Sequence, residues 1–134
     1  MFETIISPRF AETDALGHVG NTVMPVWFET AREPIFRLIH PAMSLPDWPL
    51  IIAHIDVDYL RQVHVGSDVI IKVGVKSIGV KSITVYHEAW QHNQMVAKGD
   101  AVMVYFDYKN HQTVEIPETA RKNLESVRVD PNVV

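Results

Sequence analysis

The chain of 134 residues contains no cysteine. Disulfide frameworks, thiolate nucleophiles, iron–sulfur clusters and cysteine-ligated zinc are excluded together. Positive charge is also scarce, with 12 Lys and Arg against 16 Asp and Glu and a net charge of −4. A pI near 5.9 argues against general nucleic-acid binding, which draws on a basic excess. No apolar run approaches the ~20 residues of a membrane-spanning helix. The start, Met1-Phe2-Glu3-Thr4, lacks a basic region followed by an apolar run, so no signal peptide is expected. The expectation is a soluble, cytoplasmic protein without nucleic-acid or membrane partners. Phosphate-binding glycine loops and a G-x-S-x-G elbow are missing as well. His87-Glu88 opens like a zinc-protease motif, yet position 91 is Gln91 and His92 falls one place late. That zinc site needs helical spacing and this stretch reads as a strand, so no metal site is expected. His40, His54, His64 and His111 are scattered and read as loop or surface positions.

What is present is the balance of a folded globule. Apolar residues make up 47% and charged residues 21%, and the eight prolines and six glycines are dispersed. The length fits a single domain, residues 1–134. Phe2 to Phe10 reads as a strand. Asn21 or Thr22 is a candidate helix N-cap, with Pro25 in the first turn. Val23, Val26, Trp27, Ala31, Ile35, Leu38 and Ile39 recur at helical spacing, and Pro34 should kink that helix or end its regular part near Glu33. A helix of about 17 residues would be roughly 25 Å long. Period-two alternation then marks strands over 51–59, 69–76, 80–90 and 95–107. Gly66-Ser67-Asp68 reads as the turn between the first two of them. Met95, Ala97, Gly99, Ala101 and Met103 share one face, whose small centre would admit a helix close to the sheet. Pro117 to Glu125 can form a short terminal helix, and the tail from Val127 is expected to be loosely held. Strand, helix and four strands joined by short turns predict an α+β fold. An antiparallel five-stranded sheet would wrap around one long central helix.

The chemically informative stretch is Glu12-Thr13-Asp14-Ala15-Leu16-Gly17-His18-Val19-Gly20-Asn21, followed by Glu29-Thr30-Ala31-Arg32 on the helix. A helix N-terminus offers unpaired N–H groups and a positive dipole end. Such donors can stabilise the oxyanion formed when an acyl carbonyl is attacked. A carboxylate nearby stays ionised and can act as nucleophile or general base. The other reading of Asp14 and Asn21 is turn and cap hydrogen bonding alone.

Thr13-Asp14-x-x-Gly17-His18-Val19-x-Asn21 and Phe28-Glu29-x-Ala31-Arg32 resemble the 4-hydroxybenzoyl-CoA thioesterase family of hotdog-fold acyl-CoA thioesterases. Asp58-Tyr59-Leu60-Arg61 before Val65-Gly66-Ser67-Asp68 resembles that family's next strands. His87-Glu88 with Val96 to Val104 resembles its last two, and the likeness covers roughly residues 3 to 110. The resemblance implies a hotdog fold and hydrolysis of an acyl-CoA thioester without metal or bound cofactor. It implies Asp14 as the catalytic acid group and the Asn21 amide as oxyanion donor. His18 would orient the thioester or water, or cap the loop. Gly17, Val19, Gly20, Met24 and Tyr59 are the expected substrate-binding positions. Many relatives have Asn in place of Gly20 and an aromatic residue in place of Met24.

Coenzyme A carries phosphates, so a net-negative protein needs a local basic patch. Arg61, Lys76 and Lys81, with Ser82 beside them, are the candidates, or else a solvated surface. Met24, Trp27, Phe28 and Trp48 line an acyl pocket or belong to the core. Glu29 contributes to the site, as the resemblance implies for some branches of the wider fold, or pairs with Arg32 three residues on. A non-catalytic acyl-CoA or lipid-binding module on the same fold is the alternative function. So many apolar strand positions exceed what one helix can cover, which favours association. The resemblance implies a homodimer or homotetramer.

Overall fold

The computed structural model of the chain describes residues 1–132. In chain order the elements are strand β1 (Phe2–Ile6), a 3-10 turn (Phe10–Glu12), helices α1 (Val23–Ala31) and α2 (Glu33–Ile39), and strands β2 (Leu50–Ile55), β3 (Asp58–Tyr59), β4 (Val69–Ile78), β5 (Ser82–Gln91), β6 (Gln94–Asp107) and β7 (Gln112–Thr113). Helix α3 (Glu118–Glu125) follows. One antiparallel sheet runs β1-β4-β5-β6-β2, with the short β3 and β7 also on β6. A curled sheet over a helix is the hotdog arrangement expected from the sequence. No helix among the described residues is long and apolar enough to cross a membrane.

The helix is interrupted rather than continuous. Arg32 separates α1 from α2, and Pro34 stands at the second position of α2. Proline has no N–H to give to the carbonyl four residues back, so the ladder restarts from Arg32, whose carbonyl accepts the amides of Ile35 and Phe36. The buried stripe is Met24, Trp27, Phe28, Ala31 and Ile35, spaced three or four apart as one helix face requires. Val26, expected inside, is 60% exposed. The stripe joins a core with Val69, Ile71, Val73 and Val75 of β4 and Ile83 and Val85 of β5.

Strand order departs from the sequence reading. The turn at Gly66-Ser67-Asp68 does not join neighbours, because β5 and β6 lie between β2 and β4. The tight connections after β4 and β5 claim those pairings. Gly79 N–H donates to the Ser82 carbonyl, and His92 and Asn93 both adopt positive φ, the backbone of a two-residue hairpin turn. β2 is left at the outer edge, and only Leu50 of it is buried. The expected strand 51–59 splits into β2 and β3, both on β6, and the backbone between them crosses over Gly99. A Cβ there would overlap the Asp56 carbonyl and stand 3.1 Å from Val57 Cα. The small residue admits a strand crossover, not a helix.

β1 is shorter than expected, ending at Ile6 before the buried Pro8. The tail is not loose where it is described. Val127 and Val129 exchange hydrogen bonds with Val75 of β4, and Val129 packs on Gly74. Residues 133–134 of that tail lie outside the described residues.

Candidate active site at the start of the first helix

The loop from Thr13 to Gly20 is built on Asp14. The Asp14 amide donates to the His18 carbonyl (2.7 Å), and Gly17, at φ +79°, donates its amide to the Asp14 carbonyl. Asp14 Oδ1 accepts the amides of Leu16 (2.8 Å) and His18 (3.1 Å). Those two amides hold the carboxyl below the usual aspartate range, with a smaller contribution from the His18 side chain. The turn reading of Asp14 therefore applies to one oxygen. Oδ2 has no protein partner among the described residues, and the side chain is exposed.

Glu12 ties this loop to the helix. Its Oε2 accepts the Trp27 indole N–H (3.0 Å), its Oε1 accepts the Arg9 amide (2.8 Å), and its carbonyl accepts the Gly20 amide (2.9 Å). Partial burial pushes its carboxyl up, but these donors outweigh it and the net shift is downward. Thr22 occupies the N-cap position without a side-chain cap bond. The Asn21 amide has no acceptor among the described residues, while the Asn21 carbonyl accepts the Tyr59 hydroxyl. Just ahead of α1, Asn21 is thus fixed through its carbonyl, and its N–H is open among the described residues.

A cleft of about 650 Å³ lies over these groups, lined by Asp14, Val19, Gly20, Asn21, Met24 and Tyr59 together with the segment from Leu60 to Val63. Seven of the positions expected from the sequence meet here, Arg61 being the seventh. Gly17 and His18 shape the loop without lining the cleft. The His18 ring stands edge-on to His64, with centroids 4.9 Å apart.

Three expected coenzyme A contacts lie elsewhere in the chain. Lys76 pairs with Asp100 at 2.7 Å, Lys81 donates to Thr113 Oγ1 at 3.3 Å, and Ser82 begins β5. Charge nominated the two lysines and hydrogen bonding nominated Ser82, and none of the three lines the cleft that holds Arg61. Trp48 packs edge-on to Phe36 and His40 at the end of α2, and Trp27 and Phe28 are core. Gln62 and Val63 escaped the sequence reading although they adjoin the quoted Asp58-Tyr59-Leu60-Arg61, and Leu60 was quoted there only as part of the motif. Among the described residues, no three His, Asp or Glu side chains group as a metal site.

Behind α1 a buried pair also went unread. Arg32 is 5% exposed and His87 1%. Arg32 Nη1 lies 3.3 Å from His87 Nε2, and His87 Nδ1 lies 3.0 Å from the Gly99 carbonyl. A guanidinium only donates, so Nε2 accepts and the imidazole proton sits on Nδ1. Burial holds His87 down at about 4, aided by the Arg32 charge and opposed by the Gly99 carbonyl and by Asp56. Arg32 continues the Phe28 to Ile35 stripe, and that position on the stripe was the available signal. Glu29 is three-quarters exposed and 3.8 Å from Arg32 Nη2, a loose form of the expected pair.

A family model described as the thioesterase-like superfamily matches residues 8–124. A predicted thioesterase from Bacillus stearothermophilus has the same fold with a TM-score of 0.95 and 39% identity, covering 97% of this chain and 98% of that one. A 1,4-dihydroxy-2-naphthoyl-CoA hydrolase from Nostoc punctiforme is 28% identical over 91% of this chain and 85% of its own length. The Bacillus subtilis protein YsmA is 30% identical over 61% of this chain, and this chain spans 56% of that protein's length.

Proposed function

Since the chain belongs to the thioesterase-like superfamily, we propose that it hydrolyses an acyl-CoA thioester to the free acid and coenzyme A, with Asp14 as the reacting carboxylate. One observation carries this reading. An ionised carboxylate with one oxygen unpaired among the described residues shares a cleft with the Asn21 amide just ahead of α1, which has no acceptor among those residues. Asp14 Oδ2 takes a proton from water as it attacks the carbonyl carbon, or attacks that carbon itself and is then released by water. The Asn21 N–H holds the oxyanion. The carbon–sulfur bond breaks, and the thiolate leaves and is protonated. All these groups belong to the chain, so the proposed reaction uses no metal or cofactor. Arg61 is the cation of the cleft and takes a coenzyme A phosphate. A coenzyme A thioester hydrolase among the relatives supports the substrate class.

The working form we propose is a homodimer joined along β2. That strand is the sheet's outer edge, and it exposes Ile52 and Ile55 at 51% each. An edge of this kind pairs readily with another copy.

The test is thiol release from a panel of short, long and aromatic acyl-CoAs, including 1,4-dihydroxy-2-naphthoyl-CoA. Turnover is expected from the wild type, and none from a folded Asp14→Asn variant. Unchanged turnover in that variant would overturn the assignment. Stoichiometric acyl-CoA binding with no thiol released by the wild type would favour a binding module instead.

A further inference from the structure

A second cavity, of about 180 Å³, lies between α1 and the β2–β3 crossover. Val26, Phe28, Ile52, Ile55 and Val57 give it apolar walls, and Arg32 and His87 also line it. From the geometry we infer that this cavity is a binding site for a small monocarboxylate, whose anionic head is held by the Arg32 guanidinium.

Arg32 is 5% exposed, and a buried charge needs a close counter-ion or full hydrogen bonding. It has neither. Nη1 meets a neutral imidazole acceptor at 3.3 Å. Nη2 is 3.8 Å from a Glu29 carboxylate that is itself 75% exposed, so the pair is weak. Nε is buried with no partner among the described residues. The two other carboxylates of the cavity are engaged elsewhere. Asp56 Oδ1 accepts the Asp100 amide and Oδ2 faces His54, while Asp100 Oδ2 accepts Lys76. Arg32 therefore keeps N–H donors without a close acceptor among the described residues, beside an apolar space. A carboxylate fits a guanidinium in a planar, two-point manner. The volume equals roughly six waters, which sets the guest at about six non-hydrogen atoms. A short branched acid meets both the charge and the walls.

Isobutyrate is the probe, with isobutyramide as its neutral isostere of equal size. Binding is followed by nuclear magnetic resonance titration of the full chain. Isobutyrate is expected to bind saturably, and isobutyramide at least about tenfold more weakly, the scale of losing a charged hydrogen-bond partner. Arg32→Met should abolish the preference for the acid. Val26→Phe, at the most exposed wall of the cavity, should block both guests and decides the matter if Arg32→Met fails to fold. Asp14→Asn should bind isobutyrate like the wild type, which keeps this site separate from the hydrolytic cleft and from the fate of the proposed activity. No binding of isobutyrate, equal binding of acid and amide, or wild-type binding by Val26→Phe would overturn the inference.

Discussion

The two oxygens of Asp14 are used differently: Oδ1 closes the loop through the amides of Leu16 and His18, and Oδ2 is left for chemistry. Those amides favour the ionised form, so the proposed base loses activity only in acid. The acid limb of kcat/KM is expected below the ordinary aspartate value of about 3.9. A limb near 6.5, where an unperturbed histidine titrates, would name a different base. Arg61 tests the substrate at the same scale. Arg61→Ala is expected to raise KM for acyl-CoA about tenfold with kcat nearly unchanged, as loss of one charge-assisted contact predicts. His87 makes a prediction about stability instead. Its folded value, about 4, lies below its ordinary 6.5, so the unfolded chain binds the extra proton first as pH falls. Stability is fully present above about 6.5 and is lost as pH falls from there toward 4. At about 1.4 kcal/mol per pKa unit the loss is on the order of 3 kcal/mol. Urea melts between pH 7 and 4 should show this slope, and His87→Gln should flatten it.

Elements place these groups. The start of α1 is held by Tyr59 of β3, whose hydroxyl donates to the Asn21 carbonyl. Tyr59→Phe is expected to lower kcat about fivefold, near 1 kcal/mol, with KM little changed, because the amide stays present but less well aimed. A fall in KM-type binding alone would contradict that positioning role. The crossover between β2 and β3 depends on Gly99. Gly99→Ala forces a side chain into the Asp56–Val57 backbone and should cost about 1–3 kcal/mol in chemical denaturation. Element identity was largely readable from the chain, since period two marks β4, β5 and β6, and Pro34 announces the break at Arg32. Pairing was not readable. Alternation tells which face of a strand is apolar but not which strand lies beside it, and so β2 was set next to β4. Tyr59 and Arg61 stand in a quoted motif, Arg61 being named also for its charge, whereas Lys76 and Lys81 were named from charge alone. Only the first pair lies in the cleft.

For the whole molecule the feature that calls for a partner is the β2 edge. Ile52 and Ile55 are half exposed, and burying each against another copy would contribute up to roughly 1.5–3 kcal/mol. The double variant Ile52→Lys, Ile55→Lys is expected to shift the chain from dimer to monomer in light-scattering chromatography. A wild type that is monomeric at micromolar concentration would remove the proposed pairing.

Sequence alone determined the α+β class, the amphipathic helix with its break, and the loop of Asp14, Gly17 and Asn21, because each is a local matter of spacing, backbone freedom or turn chemistry. The missing cysteine likewise settled at once which nucleophiles the chain cannot use. Tertiary structure alone decided that Leu60 to Val63 line one cleft with Asp14, and that Lys76 and Lys81 stand apart from it. It also decided that Arg32 and His87 meet in the interior. Those are distances between segments far apart in the chain, set by strand order and by the one crossover that Gly99 permits.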